Sequence, residues 1–189
     1  AAAGTEEGVP PAEAQLPSFT HVHRSLTLVS ARQARKSDGV FGRTAVCKSV
    51  VMRGGVHTCD FTVLKGRKVV VGVCKSSYDP SRGPRATHGR DGWGCHTLGG
   101  DFCHSLADGT QAWPKWPGQA GVREGDKLGL RPDLTRPDHG RIEVFKNDAR
   151  LGTMVTTPEL VGQELCWMVE IEGPGDAVRV GPPVDVLDG

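Results

Sequence analysis

Residues 125–152, GDKLGLRPDLTRPDHGRIEVFKNDARLG, decide the fold of this chain. Apolar and polar residues alternate in both halves, at Leu128 and Leu130 and again at Ile142 and Val144. A period of two is typical of strands with one buried face. Asn147-Asp148 follows the second strand, and both residue types tolerate the left-handed backbone of a tight turn. The stretch therefore predicts a hairpin closed by a further tight turn, and it contains no nucleophile, phosphate loop or metal cage.

Four further motifs flank this stretch, and their order along the chain is informative. They are the glycine-led strand at 54–63, the Val-Gly-Val strand at 68–74, Gly-Trp-Gly at 92–96, and two closing strands at 160–167 and 177–180. In this order the five motifs resemble the SPRY domain family over about residues 26–180. The match has departures: Thr58 and Cys59 replace two aromatic residues, and Cys166-Trp167 stands where the family has a Tyr-Pro pair.

The resemblance implies both an architecture and a function. SPRY domains are antiparallel two-sheet β-sandwiches of the lectin-like jelly-roll type, and they bind partners through variable loops at one end. We therefore expect a monomeric, non-catalytic module without a cofactor, which captures a peptide or a partner's surface as the substrate-recognition or scaffolding part of a larger protein. Because one fold hosts many functions, the fold does not name the partner.

Composition narrows the class of protein further. The chain has 189 residues, which suits one domain, and 23 Lys and Arg nearly balance 22 Asp and Glu, so the net charge argues against nucleic acid as a partner. No apolar run approaches the roughly 20 residues that span a membrane. We expect a flexible N-terminal tail at 1–18, a sandwich domain at 19–182 and a C-terminal tail at 183–189. The six cysteines lie largely in apolar strands, which favours reduced thiols and an intracellular protein, cytoplasmic or nuclear.

Two more hairpins are expected from local turn signals. Alternating residues on either side of Lys65-Gly66-Arg67 predict one hairpin and part of the core, namely Phe61, Val63, Val69, Val71 and Val73. Gly173-Pro174-Gly175-Asp176 predicts a second hairpin turn near the end. Early strands are expected at 26–29 and 45–51, with a polar connection at 31–42 between them.

The candidate binding residues lie in two long irregular segments, 76–92 and 108–121, because connections of this length are uncommon unless they are functional or disordered. Arginine forks suit acidic or phosphorylated groups, and tryptophans in a proline-stiffened loop offer rigid contact area. The predicted partner-binding residues are Tyr78, Arg82, Arg85, Trp113, Lys115 and Trp116. Four of them, Tyr78, Arg85, Trp113 and Trp116, are expected to line one shared depression.

Two alternatives to protein binding stay open. The tryptophan pair could stack on sugar rings, as in a carbohydrate-binding module of lectin type. Two Cys-His pairs could ligate zinc, at Cys95-His96 and Cys103-His104. Adjacent residues of a strand point to opposite faces, however, so neither pair readily aims both side chains at one ion.

Overall fold

A computed structural model describes residues 16–39, 41–82, 85–106 and 110–181 of the chain. Of the tails predicted at 1–18 and 183–189, residues 1–15 and 183–189 lie outside the described residues. The regular secondary structure of the described part is strand apart from one 3-10 turn at Pro158–Leu160, and this part has no helix long and apolar enough to span a lipid bilayer. The strands are β1 (His21–Val22), β2 (Leu26–Ser30), β3 (Gln33–Lys36), β4 (Arg43–Met52), β5 (Gly55–Val56), β6 (Cys59–Lys65), β7 (Val69–Lys75), β8 (Gly92–His96), β9 (Phe102–Ser105), β10 (Gln111–Ala112), β11 (Lys127–Leu134), β12 (Gly140–Lys146), β13 (Ala149–Thr157), β14 (Leu165–Ile171) and β15 (Ala177–Val180).

The strands form two antiparallel sheets. One has seven strands in the order β1-β4-β14-β7-β8-β9-β10. The other has the order β13-β12-β11-β6-β15-β3-β2, and β5 also pairs with β11. The two sheets enclose one apolar core between them. The predicted two-sheet antiparallel β-sandwich is therefore confirmed.

The stretch at 125–152 folds as its pattern predicts. Strands β11 and β12 pair with Leu130 opposite Val144, and β12 pairs with β13 directly after it. The turn between β12 and β13 has positive φ at both of its residues, 48° at Asn147 and 70° at Asp148. Side chains without β-branching accept this left-handed backbone at modest cost, so aspartate can replace the glycine that often follows asparagine in such turns.

Both of the other predicted hairpins are wrong. Strand β6 belongs to the eight-stranded sheet and β7 to the seven-stranded sheet, and β14 and β15 are likewise divided. The turns at 66–68 and 173–176 are therefore crossings from one sheet to the other. Asp176 joins the two crossings, because its carboxylate accepts the amide of Lys68 at 3.0 Å and fills the space where Gly66 would carry a Cβ atom.

The core lies between the sheets, as the alternation predicts. The five predicted core residues on β6 and β7 are all fully buried, and so are Leu128, Leu130, Ile142 and Val144 of the 125–152 hairpin. Phe61 meets Trp167 edge to face, with ring centroids 6.1 Å apart. Strand β3 was not predicted, because Gln-Ala-Arg-Lys has no apolar alternation and owes its conformation to pairing with β2 and β15.

A second, smaller cluster lies on the outer face of the seven-stranded sheet. Its members are Val46, Val70, Cys74, Tyr78, Ala86, Cys103, Cys166 and Met168. Tyr78 and Ala86 belong to residues 76–82 and 85–91, together called the covering loop, which packs on this face. All six cysteines are buried and unpaired, and the sulfur atoms of Cys74 and Cys166 lie 3.6 Å apart under the loop. Burial raises the pKa of the Cys74 thiol well above its usual range.

Candidate functional site

The covering loop buries one of its predicted binding residues. The hydroxyl of Tyr78 donates to Oγ1 of Thr44 at 3.2 Å, and the ring packs in the outer cluster. Burial raises the pKa of this phenol to about 12. Tyr78 therefore supports the loop from beneath, and its ring presents little surface to a partner.

Arg85 is held by carboxylates of the sheet below the loop. Its side chain is only 13% exposed; it forms an ion pair with Glu172, and its Nε lies 3.9 Å from Glu170. Glu170 is fully buried and accepts both the amide and the hydroxyl of Thr87 at 2.9 Å. Burial raises the pKa of Glu170, whereas the nearby His96 and the Arg85 charge lower the pKa of Glu172 to about 2. These contacts tie the middle of the covering loop to β14.

Arg82 differs from Arg85 although it lies in the same loop. Its side chain is 88% exposed, and it forms an ion pair with Asp79, three residues earlier, at 3.5 Å. A guanidinium placed in this way is available to a partner from solution.

The two predicted tryptophans have different environments. Trp113 is 40% exposed and lies edge-on to His96, with ring centroids 5.5 Å apart. Trp116 is 6% exposed, packs in the main core and donates its indole N–H to the carbonyl of Gly100 at 2.7 Å. Lys115, between them, is exposed.

The expected shared depression therefore does not form. Tyr78 and Trp116 belong to clusters on opposite sides of the seven-stranded sheet. Trp113 and Arg85, however, are connected across the outer face, because Trp113 contacts His96 and His96 lies 3.9 Å from Glu172, the partner of Arg85. The two predicted loops thus approach one another on this face through their middle residues.

The proposed zinc ligands point to two sides of the sheet. Cys95 packs in the main core and Cys103 in the outer cluster. His104 stacks on the core residue Trp93, whereas His96 contacts Trp113 outside. Among the residues that the structure describes, no group of three or more His, Cys, Asp or Glu side chains is arranged to hold a metal ion.

A cavity opens at the side of the sandwich, between β8 and β9 of one sheet and the end of β13 in the other. It has a volume of about 580 Å³ and is called the Trp93 groove. Its lining residues are Trp93, Phe102, His104, Leu106, Val155, Thr156, Thr157 and Glu159. Most of the lining surface is apolar, and the polar atoms come from His104 of β9, from the end of β13 and from the turn after β13.

His104 and Glu159 form the polar centre of the groove. His104 stacks on Trp93 at 5.0 Å between ring centroids, and its ring nitrogens lie 2.8 Å from the carbonyl of Gly92 and 2.9 Å from the Glu159 carboxylate. The 3-10 turn positions Glu159, because the hydroxyl of Thr157 accepts its amide at 3.2 Å. The imidazole is thereby oriented from both sides.

The covering loop also contributes to this region. A second cavity of about 400 Å³ shares Trp93 and Glu159 with the groove and is lined by Gly89 and Arg90 from the end of the loop. Arg90 lies 3.8 Å from Glu159. A mostly apolar cleft with a few convergent polar groups is the usual form of a binding site.

Sequence reasoning missed this groove. Trp93 was predicted only as a strand residue, and His104 was considered only as a zinc ligand. The chain separates His104 from Glu159 by 55 positions, so no spacing rule links them. The one available signal was the alternation of side chains along the strands. Because β8 and β9 are neighbours, this alternation places Phe102 and His104 on the same face of the sheet as Trp93.

Comparison with known proteins gives a structural match without a sequence match. No protein-family model and no curated protein matches the chain. The SPRY domain of human HERC1 superposes with a TM-score of 0.65 at 14% identity, covering 84% of this chain and 92% of that one. A human SPRY domain gives 0.58 at 18% identity, covering 89% and 99%, and the PSpry domain of TRIM65 gives 0.63 at 16%, covering 89% and 90%. At these identities the likeness shows the fold alone.

Proposed function

Because the chain is a SPRY-type β-sandwich, we propose that it is a non-catalytic protein-interaction module, which serves as a substrate-recognition or scaffolding part of a larger protein. The observation that carries this proposal is the Trp93 groove, an apolar cleft whose walls belong to two rigid sheets. Binding sites on rigid elements lose little conformational entropy when a partner docks.

The groove suits an apolar side chain of the partner next to a hydrogen-bonding backbone. Phe102, Leu106 and Val155 supply the apolar contacts, and burying one partner side chain of leucine size contributes roughly 1.5–3 kcal/mol. Glu159 and the Thr157 hydroxyl lie at the polar edge, where they can accept from or donate to the partner backbone.

The exposed members of the predicted loops extend this contact surface in our proposal. Arg82, Trp113 and Lys115 are accessible and are proposed to touch the partner directly. Tyr78, Arg85 and Trp116 are proposed to act from beneath, by holding the loops in place. Six buried, unpaired thiols support an intracellular setting, since reducing compartments keep cysteines in that state.

A matched pair of leucines provides the test. Leu106 lines the groove and is 49% exposed, whereas Leu98 is 46% exposed and lies outside the groove lining. Peptides selected from a display library on the wild-type protein should lose at least about tenfold in affinity with Leu106→Arg and keep their affinity with Leu98→Arg. An equal loss of affinity in both variants, or no loss of affinity in either, would contradict the assignment of the groove as the binding site.

Carbohydrate binding is the second candidate, and it rests on the exposed indole of Trp113. The burial of Trp116 removes the paired platform on which this candidate relied. A glycan array probed with wild-type protein and with Trp113→Ala tests it: saturable sugar binding that the substitution abolishes would favour a lectin-like function over peptide recognition.

A further inference from the structure

A second pocket lies where the chain crosses twice between the two sheets. Residues 23–25 connect β1 to β2, and residues 37–42 connect β3 to β4, so both crossings join the seven-stranded to the eight-stranded sheet. The pocket between them has a volume of about 370 Å³. Its polar lining includes His23, Arg24, Ser25, Lys36, Asp38 and Arg43. None of these residues belongs to the Trp93 groove.

Lys36 lies on the face of β3 that is turned toward the interior of the protein. It ends β3 in the same phase as the fully buried Ala34, and its side chain is itself only 1% exposed. Its ammonium group donates to the Ser25 hydroxyl at 3.1 Å. A methionine or leucine would fill this position without the cost of removing a cation from water, so packing alone does not account for a lysine here.

The protein neutralises the positive charges of the pocket only in part. In the described parts of the chain, no carboxylate lies within 4 Å of the side-chain nitrogens of Lys36, Arg24 or Arg43. Asp38 is the one acidic residue in the lining. Glu172 lies beside Gly42 at the edge of this region, but it is already paired with Arg85.

A hydrogen bond at the turn fixes the tautomer of His23, which lines the pocket. The amide of Ser25 donates to Nδ1 of His23 at 3.1 Å, so this nitrogen is an acceptor and the proton of the neutral ring is on Nε2. Desolvation, Arg43, Lys36 and Arg24 together lower the pKa of His23, while desolvation and Arg43 lower the pKa of Lys36. Burial is the main cause of both shifts and the neighbouring cations add to it, so a bound anion would favour the protonated forms.

We propose that this pocket binds a phosphate monoester dianion, carried either by a phosphorylated side chain of a polypeptide or by a small phosphorylated molecule. Three basic side chains against one carboxylate leave two positive charges, which matches the charge of about −1.5 to −2 on a phosphate monoester. A single carboxylate would neutralise only half of that charge. Arginine supplies paired donors to phosphate oxygens and lysine a point charge, and the pocket contains both.

A polypeptide source has additional surface available to it. Ser81 of the covering loop lines an adjoining cavity of about 360 Å³ together with His23 and Arg24. The ring of Phe41 stands in the pocket lining, largely exposed, with the Arg43 guanidinium 5.9 Å from its centroid. Residues that flank a phosphorylated serine could contact both features, whereas a small molecule would leave them bare.

The test titrates the protein with inorganic phosphate, glycerol 3-phosphate and a phosphoserine peptide library, read by amide chemical shifts and by calorimetry. Saturable shifts are expected at residues 23–25 and 36–43. Lys36→Met should weaken binding by at least about tenfold while the protein stays folded, because methionine fills the same space without a charge. Arg43→Gln should also weaken it, and Arg53→Gln, at the other end of β4, should not.

The outcomes distinguish a polypeptide ligand from a small-molecule ligand, and either of them from a failure of the proposal. If phosphoserine peptides bind more tightly than inorganic phosphate, the result would support a polypeptide source. If glycerol 3-phosphate binds more tightly than the phosphoserine peptides, the result would support a small molecule. No saturable response, unchanged affinity in both pocket variants, or equal binding of the same peptides with aspartate in place of phosphoserine would overturn the proposal. The result does not depend on the Trp93 groove, which the two leucine variants test separately.

Discussion

The two faces of the seven-stranded sheet bury their side chains in different ways. The inner face packs apolar residues such as Val71 and Trp167 against the other sheet. The outer face buries Glu170 beside Met168, and its cover is tied down by charged and hydroxyl partners. Stability on the inner side depends on volume and shape, whereas on the outer side it depends on every polar group keeping its partner. The two faces should therefore respond to different substitutions and to different solvent conditions.

The largest effect is expected for Phe61→Ala on the inner side. Phe61 is fully buried and meets Trp167 edge to face, so its truncation leaves a cavity between the sheets. We expect the free energy of unfolding to fall by about 3–5 kcal/mol, measured by chemical denaturation. The loss should be the same at pH 5 and pH 7, because no charged group is involved. If the loss of unfolding free energy in Phe61→Ala depended strongly on pH, it would contradict the proposed difference between the two faces of the sheet.

Arg85→Ala should produce the next largest effect, on the outer side. It removes the cation that pairs with Glu172 and lies near the buried Glu170. We expect a loss of about 2–3 kcal/mol, somewhat below the cost of breaking a fully buried pair, because Glu172 keeps some access to water.

Arg82→Ala is the matched control within the same loop. Its side chain is 88% exposed, so its truncation should change the free energy of unfolding by less than about 0.5 kcal/mol. Adding Glu170→Gln to Arg85→Ala should restore part of the lost stability, because the uncompensated buried carboxylate is then gone. If the two arginines gave equal losses, the outer network would not be what holds the loop.

The smallest expected effect is a dependence on pH that originates at His88. Burial, and then the neighbouring Arg85, lower the pKa of His88 to about 4, and Arg85 donates a short hydrogen bond to its Nε2. The unfolded chain binds a proton near pH 6.5 and the folded chain only near pH 4. Stability that is fully present above pH 6.5 is therefore lost progressively as the pH falls toward 4.

His88→Gln should remove this part of the acid sensitivity. We expect the difference between wild type and variant to change by about 1 kcal/mol between pH 7 and pH 4.5, after allowance for solvent screening at a partly exposed ring. Denaturation series at several pH values provide the measurement. Parallel stability curves for the two proteins would show that His88 titrates alike in both states.

The parts of the fold that depend on local pattern were predictable from the sequence. The 125–152 hairpin carries its own alternation and its own turn residues, and both strand pairs formed as expected. The turns at 66–68 and 173–176 carry equally clear glycine and proline signals. Such signals specify that the chain changes direction, but they do not specify the sheet that the next strand joins. That sheet depends on pairing with strands that are distant in sequence. That is why both hairpins were mispredicted.

The site was harder to predict for the same reason. Trp113 and Trp116 have nearly the same local sequence, Trp-Pro, yet one indole is in the core and the other is at the surface. Arg82 and Arg85 differ likewise, since only Arg85 reaches the carboxylates of β14. Lys36 gave no sequence signal, because its importance comes from facing inward on a strand that lacks apolar alternation.

The burial of Cys74 and Cys166 under the covering loop gives the protein a built-in reporter of local opening. A thiol reagent reaches these two sulfur atoms when the loop lifts, whereas Cys59 and Cys95, between the sheets, require the sandwich itself to separate. Labelling rates at the two sets of cysteines would therefore distinguish excursions of the loop from global unfolding. Because these cysteines are native, no substitution has to be introduced, and partner binding can be followed as a change in the labelling rate under one loop.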